Sequence, residues 1–220
     1  MKRVFLFLLL LTAMRARALA QQAAPDNEDL QLWPDVTVGF RLTPKVALQF
    51  FGTIRPGDNL TRIVGEQAGI AVNLRLNQYL SFVPSYRAIW SQPDETRNSF
   101  EHRYVADVIP RLPLRKGFAI QNRNRFERRD INGQWAWRYR NRPQVEKVVK
   151  FHDRQLTPYV AAEFFYDSRP QAWIRKQFWV GMRVPITPHI TFDLHYAHNR
   201  DQRARPGRWH IIGLMTRLEF

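Results

Sequence analysis

The chain has 220 residues, 34 lysines and arginines against 19 acids, a formal charge of +15 and no cysteine. Without cysteine, disulfides, thiolate catalysis and cysteine-ligated metals are excluded. The basic charge raises nucleic acid as a partner, but the arginines stand singly at alternating positions behind an export signal instead of clustering on a helix, so nucleic acid is set aside.

The first element is residues 1–20. Met1-Lys2-Arg3, the apolar run Val4 to Leu11 and the ending Ala18-Leu19-Ala20 make a charged start, a short oily core and a small-x-small cleavage site. This is the pattern of a signal peptide with a mature start at Gln21, and its apolar run is too short to span a bilayer as a helix. Cleavage removes Lys2, Arg3, Arg15 and Arg17 and no acid, which lowers the formal charge from +15 to +11. Residues 21–29 read as a disordered polar leader, and residues 30–220 as one domain with no stretch approaching the ~18 apolar residues of a transmembrane helix.

From residue 30 onward apolar residues recur with period two, the signal of half-buried strands. The predicted strands, in chain order, are 30–42, 45–54, 62–76, 79–91, 98–112, 117–129, 134–146, 156–167, 171–184, 189–200 and 208–220. In the third, Ala68, Ile70, Val72, Leu74 and Leu76 share one face and Gln67, Gly69, Ala71, Asn73 and Arg75 the other. In the seventh, Trp135, Trp137 and Tyr139 oppose Arg138, Arg140 and Arg142. Compact turns such as Thr43-Pro44-Lys45 and Asn77-Gln78 alternate with more polar loops such as 55–61, 92–98 and 201–207. That asymmetry belongs to bacterial transmembrane barrels. The compact linker is lost once, at 147–155.

A soluble β-sandwich would also alternate, but its outward face is dominated by Lys, Glu, Thr and Ser. Here Trp33, Trp90, Tyr104, Trp135, Trp137 and Tyr196 are expected on the oily face near strand ends, as an interfacial aromatic girdle. The final strand alternates Ile212, Leu214, Thr216, Leu218 and Phe220 against Gly213, Met215, Arg217 and Glu219. A terminal Phe on such a strand resembles the insertion signal of outer-membrane barrels. The expectation is therefore an all-β fold, a transmembrane antiparallel up-and-down β-barrel of 10–12 strands in a Gram-negative outer membrane. Closure suits lipid because every backbone group must find a partner. Eleven predicted strands conflict with the even number of single-chain bacterial barrels, so either one strand is misassigned or the first strand is not entered from the periplasm.

The polar face collects Arg75, Arg87, Arg103, Arg111, Arg123, Arg125, Arg138, Arg140, Arg142, Arg175 and Arg183, with Glu66, Glu101, Asp107, Glu127, Glu146, Glu163, Asp167, Asp193 and Glu219. Arg123, Arg125, Glu127, Arg138, Arg140, Arg142, Glu163 and Asp193 are the expected lumen lining. A barrel this small is nearly filled by side chains, so the leading expectation is a paired, packed plug. A narrow anion-preferring channel, drawing on the Arg excess of strands 117–129 and 134–146, is the alternative.

At these residues a resemblance emerges. Trp137-Arg138-Tyr139-Arg140-Asn141-Arg142-Pro143, Asn122-Arg123-Asn124-Arg125-Phe126-Glu127-Arg128, Leu30-Gln31-Leu32-Trp33, Pro158-Tyr159-Val160 and Glu163-Phe164-Phe165-Tyr166-Asp167 are similar to the bacterial outer-membrane family catalogued as domain of unknown function 2490. The similarity covers roughly residues 29–220. It implies a barrel and an outer-membrane address, and it brings no activity or catalytic residues.

An enzyme of the lipid-facing wall requires a nucleophile, a base and an orienting group. His102, His198 and His210 face outward by parity, without an outward serine and orienting carboxylate on a neighbouring strand, so no catalytic residue is assigned. A lipid or lipid A modifying enzyme stays open as an alternative, as does a structural or adhesion barrel working through its loops. No metal or cofactor is called for. The expected partners are outer-membrane lipids, lipopolysaccharide and the barrel-insertion machinery, with Arg55, Arg62, Arg97, Arg169, Arg203, Arg205 and Arg208 placed on the loops.

Overall fold

Period-two alternation with charges on one face cannot be buried from both sides, and the strands resolve this by curling into a ring with polar side chains within and oily ones outside. The computed structural model describes residues 27–152 and 154–220. The expected signal peptide and most of the expected leader, residues 1–26, lie outside the described residues. The strands are β1 Glu28–Thr43, β2 Val46–Gly57, β3 Arg62–Arg75, β4 Leu80–Ser91, β5 Ser99–Pro113, β6 Phe118–Ile131, β7 Gln134–Lys147, β8 Val149–Phe151, β9 Arg154–Asp167, β10 Ala172–Pro185, β11 Ile190–Asp201 and β12 Arg208–Glu219. The one helical element among the described residues is a 3-10 turn, Arg115–Gly117.

Each strand pairs antiparallel with its chain neighbour from β1 to β7, then β7 with β9 and on to β12. The three residues of β8 pair only with the start of β9, from Val149 opposite Leu156 to Phe151 opposite Arg154. They prolong β7, so the long expected linker at 147–155 is the protruding end of a hairpin. The ring closes between β1 and β12, which run parallel from Glu28 beside Arg208 to Gly39 beside Glu219. An eleven-strand barrel must close this way, because an odd number of alternating strands brings two of the same direction together. The conflict with even strand number is thus resolved by a first strand entering from the rim opposite the C-terminus. β1 also begins two residues before the expected barrel start, because Glu28 and Asp29 pair with Arg208 and Trp209.

Turn chemistry fixes the hairpins. Asn132 and Gly133, with φ of 51° and 82°, form the two-residue turn between β6 and β7, the conformation that matches strand twist and that Asn-Gly adopts readily. At the seam the terminal residue is tied into β1: Arg41 N–H donates to the Phe220 carbonyl at 2.8 Å and Phe220 N–H to the Gly39 carbonyl at 2.9 Å. Its ring lies between Phe40 and His189, each with centroids 5.9 Å away.

The outer wall is apolar, with Phe40, Phe50, Ile70, Leu112, Phe126, Val160, Phe178, Val180, Leu194 and Ile212 all exposed. An exterior of that kind has its favourable solvent in hydrocarbon. Toward the rim that bears loops 92–98 and 168–171 stand Trp90, Phe100, Trp135, Trp137, Tyr166 and Trp173, with Trp90–Phe100 centroids 5.0 Å apart, Trp137–Tyr166 at 5.3 Å and Tyr166–Trp173 at 5.7 Å. Trp90, Tyr104, Trp135, Trp137 and Tyr196 all lie on this outer surface. Trp33 does not. It shares parity with the buried Gln31, its indole N–H donates to Gln31 Oε1 at 2.9 Å, and it packs inside against Trp179. Glu66 is likewise corrected: it shares parity with Ala68 and Ile70 and faces outward beside Trp90.

Candidate functional site: the charged interior and the outer rim at the seam

Inward positions of β5, β6, β7 and β9 carry arginines and acids on neighbouring strands, so guanidinium and carboxylate meet directly opposite, as in Asp107–Arg125 and Glu127–Arg138, or on the diagonal. Arg125 grips Asp107 with two hydrogen bonds of 2.7 Å. Glu127 accepts from Arg138 Nε at 2.6 Å and Arg140 at 3.1 Å. Glu163 accepts from Arg123 and Arg140, both at 2.8 Å. Arg129 joins Glu101 at 2.8 Å to Asp167 at 3.1 Å, and Arg111 and Arg183 both hold Glu146. Glu163 and Asp167 are 0% exposed; charges so enclosed persist only when paired. Three guanidiniums, of Arg138, Arg140 and Arg175, also surround the Phe165 ring at 5.6, 4.4 and 5.2 Å. The ring's negative face offsets part of their mutual repulsion.

Arg55 and Arg142 have no carboxylate in ion-pair contact among the described residues, and each stacks on an indole. Arg55 lies 4.3 Å over Trp33, Trp33 meets Trp179 edge-on at 6.3 Å, and Arg142 lies 4.2 Å over the opposite indole. This chain of four side chains joins β2 and β1 to β10 and β7 and forms a bar across the lumen. Arg55, expected on a loop, belongs to it because β2 extends to Gly57. Beside the bar sits His195, 4.8 Å from Trp179 and 3.5 Å by Nδ1 from Asp193 Oδ1. Asp193 accepts from the Tyr159 hydroxyl at 2.7 Å. His195 fits because Gly213 stands opposite; a Cβ there would fall 1.9 Å from His195 Nε2. Arg123, Arg125, Glu127, Arg138, Arg140, Arg142, Glu163 and Asp193 therefore all project inside. At the C-terminal rim the lumen widens to a mouth of ≈ 320 Å³ lined by Arg41, Lys45, Arg75, His189, Glu219 and Phe220.

The second polar assembly is outside. Tyr196 and His210 are diagonal neighbours on β11 and β12, and the Tyr196 hydroxyl and His210 Nδ1 share a hydrogen bond of 2.7 Å. His210 Nε2 lies 3.5 Å from Glu28, which also accepts from Arg208 at 3.2 Å. His198 faces His210 at 5.0 Å. Parity had put these histidines outside; the orienting carboxylate escaped notice because Glu28 reaches them only through the parallel seam. A related pair, the Tyr86 hydroxyl hydrogen-bonded to His102 Nδ1 at 2.6 Å, has no carboxylate in ion-pair contact among the described residues. Between these walls, at mid-height of β6 and β7, the outward Asn122, Asn124, Asn141 and Tyr139 satisfy one another: Tyr139 donates to Asn124 at 2.7 Å and Asn141 to Asn122 at 3.0 Å and Asn124 at 2.9 Å. Among the described residues no group of three His, Asp or Glu is arranged to hold a metal ion.

Among solved structures, LpxR from Salmonella typhimurium matches with a TM-score of 0.52 and 10% identity, over 79% of this chain and 83% of that one. At that identity the likeness shows a shared barrel fold. The siderophore receptor PirA from Pseudomonas aeruginosa aligns with a TM-score of 0.34 and 11% identity, over 73% of this chain and 33% of that one, which is too remote to inform the architecture. No curated protein matches the sequence. Residues 30–210, most of the barrel without Glu28 and with only the first three residues of β12, match the family described as protein of unknown function DUF2490. This outer-membrane-type barrel belongs to that family.

Proposed function

We propose that the protein resides in the outer membrane as a barrel whose lumen is closed at rest, and that its activity lies on its lipid-facing wall and rims. The observation that carries this reading is the bar Arg55–Trp33–Trp179–Arg142, flanked by the buried ion pairs of Glu127 and Glu163. Stacked rings and shared ion pairs occupy the lumen at this level, and the net excess of guanidinium would favour anions wherever the bar yields. Cell fractionation with a gel-mobility shift on boiling tests the address; a soluble periplasmic product would sink it. In planar bilayers the purified wild type is expected to give no steady conductance, and Trp179→Ala with Arg142→Ala an anion-selective one. An open, cation-selective wild type would count against a closed, arginine-lined lumen.

A second reading, a lipid-modifying enzyme, draws on the Glu28–His210–Tyr196 relay. A carboxylate facing Nε2 favours the tautomer whose Nδ1 accepts the phenol proton, the arrangement that activates a hydroxyl. Its test is the lipid profile by mass spectrometry of cells overproducing the wild type or Tyr196→Phe. Identical phospholipid and lipid A profiles in both would remove this reading.

A further inference from the structure

The aromatic girdle is interrupted on one side of the barrel. From β4 to the start of β10 the outer wall near the loop-bearing rim carries Trp90, Phe100, Trp135, Trp137, Tyr166 and Trp173. Around β10, β11 and β12 cations replace them. Lys176 is paired in register with Arg200, and Arg200 with Arg208, so three exposed cations stand side by side on adjacent strands. Neighbouring strands are about 4.8 Å apart, so the three heads span roughly 10 Å. Glu28, beside Arg208 on β1, is the acid of this row, and its carboxylate is engaged by Arg208. Arg200 and Lys176 have no carboxylate in ion-pair contact among the described residues. Arg203 and Arg205 of the adjoining loop are exposed and add to the same field.

Below the cations the surface changes in ordered steps. The next outward row is Phe178, His198, His210 and Leu30, the next Val180, Tyr196, Ile212 and Leu32, and the next Met182, Leu194, Leu214 and Pro34. A cationic shelf, a belt of imidazole and phenol donors, and then an aliphatic column reproduce the chemical profile of one phosphorylated lipid lying along the wall. Three close exposed cations repel one another unless an anion lies among them. Elsewhere on the wall the outward Arg128 is spent differently, stacked over Trp135 at 4.2 Å.

We infer that the outer face of β10–β12 and the start of β1 binds the phosphate-bearing headgroup of a membrane lipid, its phosphate held by Lys176, Arg200 and Arg208 and its chains packed on Phe178, Val180 and Ile212. Charge-assisted contacts from guanidinium to phosphate are the strong ones, and His198, on the row next below, is placed to meet the sugar or glycerol oxygens. This site deepens the membrane reading above, whose address is decided separately by fractionation; binding is read in detergent and does not depend on which membrane the protein occupies.

The experiment is native mass spectrometry of the detergent-solubilised barrel with bis-phosphorylated lipid A and with the same lipid dephosphorylated. The wild type retains the phosphorylated lipid. Lys176→Ala, Arg200→Ala, Arg208→Ala together weaken it by about tenfold or more, Arg128→Ala leaves it unchanged, and the dephosphorylated lipid does not distinguish the variants. Arg200→Lys with Arg208→Lys preserves charge and retains most of the binding, which keeps the test readable should the triple variant fold poorly. Binding by the triple variant within about twofold of wild type overturns the proposal. So does retention of inorganic phosphate alone as tightly as the lipid, or a wild-type dimer that the triple variant abolishes, which would assign the face to a second copy of the chain.

Discussion

Single side chains decide which way this barrel is filled. Glycine at position 213 is there for the imidazole of His195, whose Nε2 would lie 1.9 Å from an added Cβ. Overpacking of that kind costs about 1–3 kcal/mol. Gly213→Ala is therefore expected to lower stability by that amount in urea titrations followed by gel mobility, and His195→Ala in the same background to recover most of it; no recovery would mean that the clash is not the cause. At this scale the sequence was legible by parity and little else. Parity placed Arg123, Arg125, Glu127, Arg138, Arg140, Arg142, Glu163 and Asp193 on the side that the strands turn inward, because a charge on the lipid face is costly. Trp33 was misplaced because tryptophan suits a girdle as well as an interior that offers its N–H an acceptor, here Gln31. Parity already separated Trp33 from Leu32 and Val36, and the residue type was given too much weight. The same neglect of parity misplaced Glu66.

At the scale of strands and turns, all eleven long strands were foreseen within a few residues, since a lipid-facing strand has no freedom to depart from alternation without exposing a charge. What escaped was the extension of β7 as β8, where Val148 and Phe151 lie beyond the regular ladder, and the reach of β2 to Gly57. The loops carry their own order. Asp94, in the loop between β4 and β5, accepts from the Thr96 hydroxyl at 2.9 Å and from the amides of Thr96 and Arg97 at 3.0 and 2.8 Å, and pairs with the Arg97 guanidinium. These hydrogen bonds, that of the Thr96 side chain first, hold its carboxyl at about 2 against an ordinary 3.8. A carboxyl lowered on folding contributes order that is complete above about 3.8 and is lost as the pH falls through about 2. NMR titration of the Asp94 carboxyl in micelles is expected to show a midpoint near 2 that rises in Thr96→Ala; a wild-type midpoint near 3.8 would refute the turn as drawn.

The whole molecule is governed by its odd strand number. Alternation and turn chemistry are local signals, and a count of eleven could be read from them, but the partner of the first strand could not. Antiparallel pairing of neighbours follows from short turns, whereas closure joins residues 180 positions apart, such as Glu28 and Arg208, and no local pattern announces it. The outer relay is invisible for the same reason, although His210 and Tyr196 are outward by parity and only Glu28 comes from across the seam. Closure by a parallel pair makes a sharp prediction of topology. An epitope inserted before Asn27 and one placed after Phe220 will be accessible to protease from opposite sides of the membrane; cleavage of both from the same side would show that β1 and β12 run antiparallel and that a strand has been missed.

That seam also bears on how such a chain can be rearranged. In barrels with an even strand count both termini meet at one rim, so the ends can be spliced by a short peptide and the chain reopened at a loop. Here a splice would have to travel from the end of β12 back to the start of β1, a climb of about 40 Å along a 12-residue strand at ~3.3 Å per residue. In the proposed membrane setting the direct route runs into the bar Arg55–Trp33–Trp179–Arg142 and the outer one along the lipid-facing wall. Circular permutation through a short splice is therefore closed to this fold unless a strand is first gained or lost.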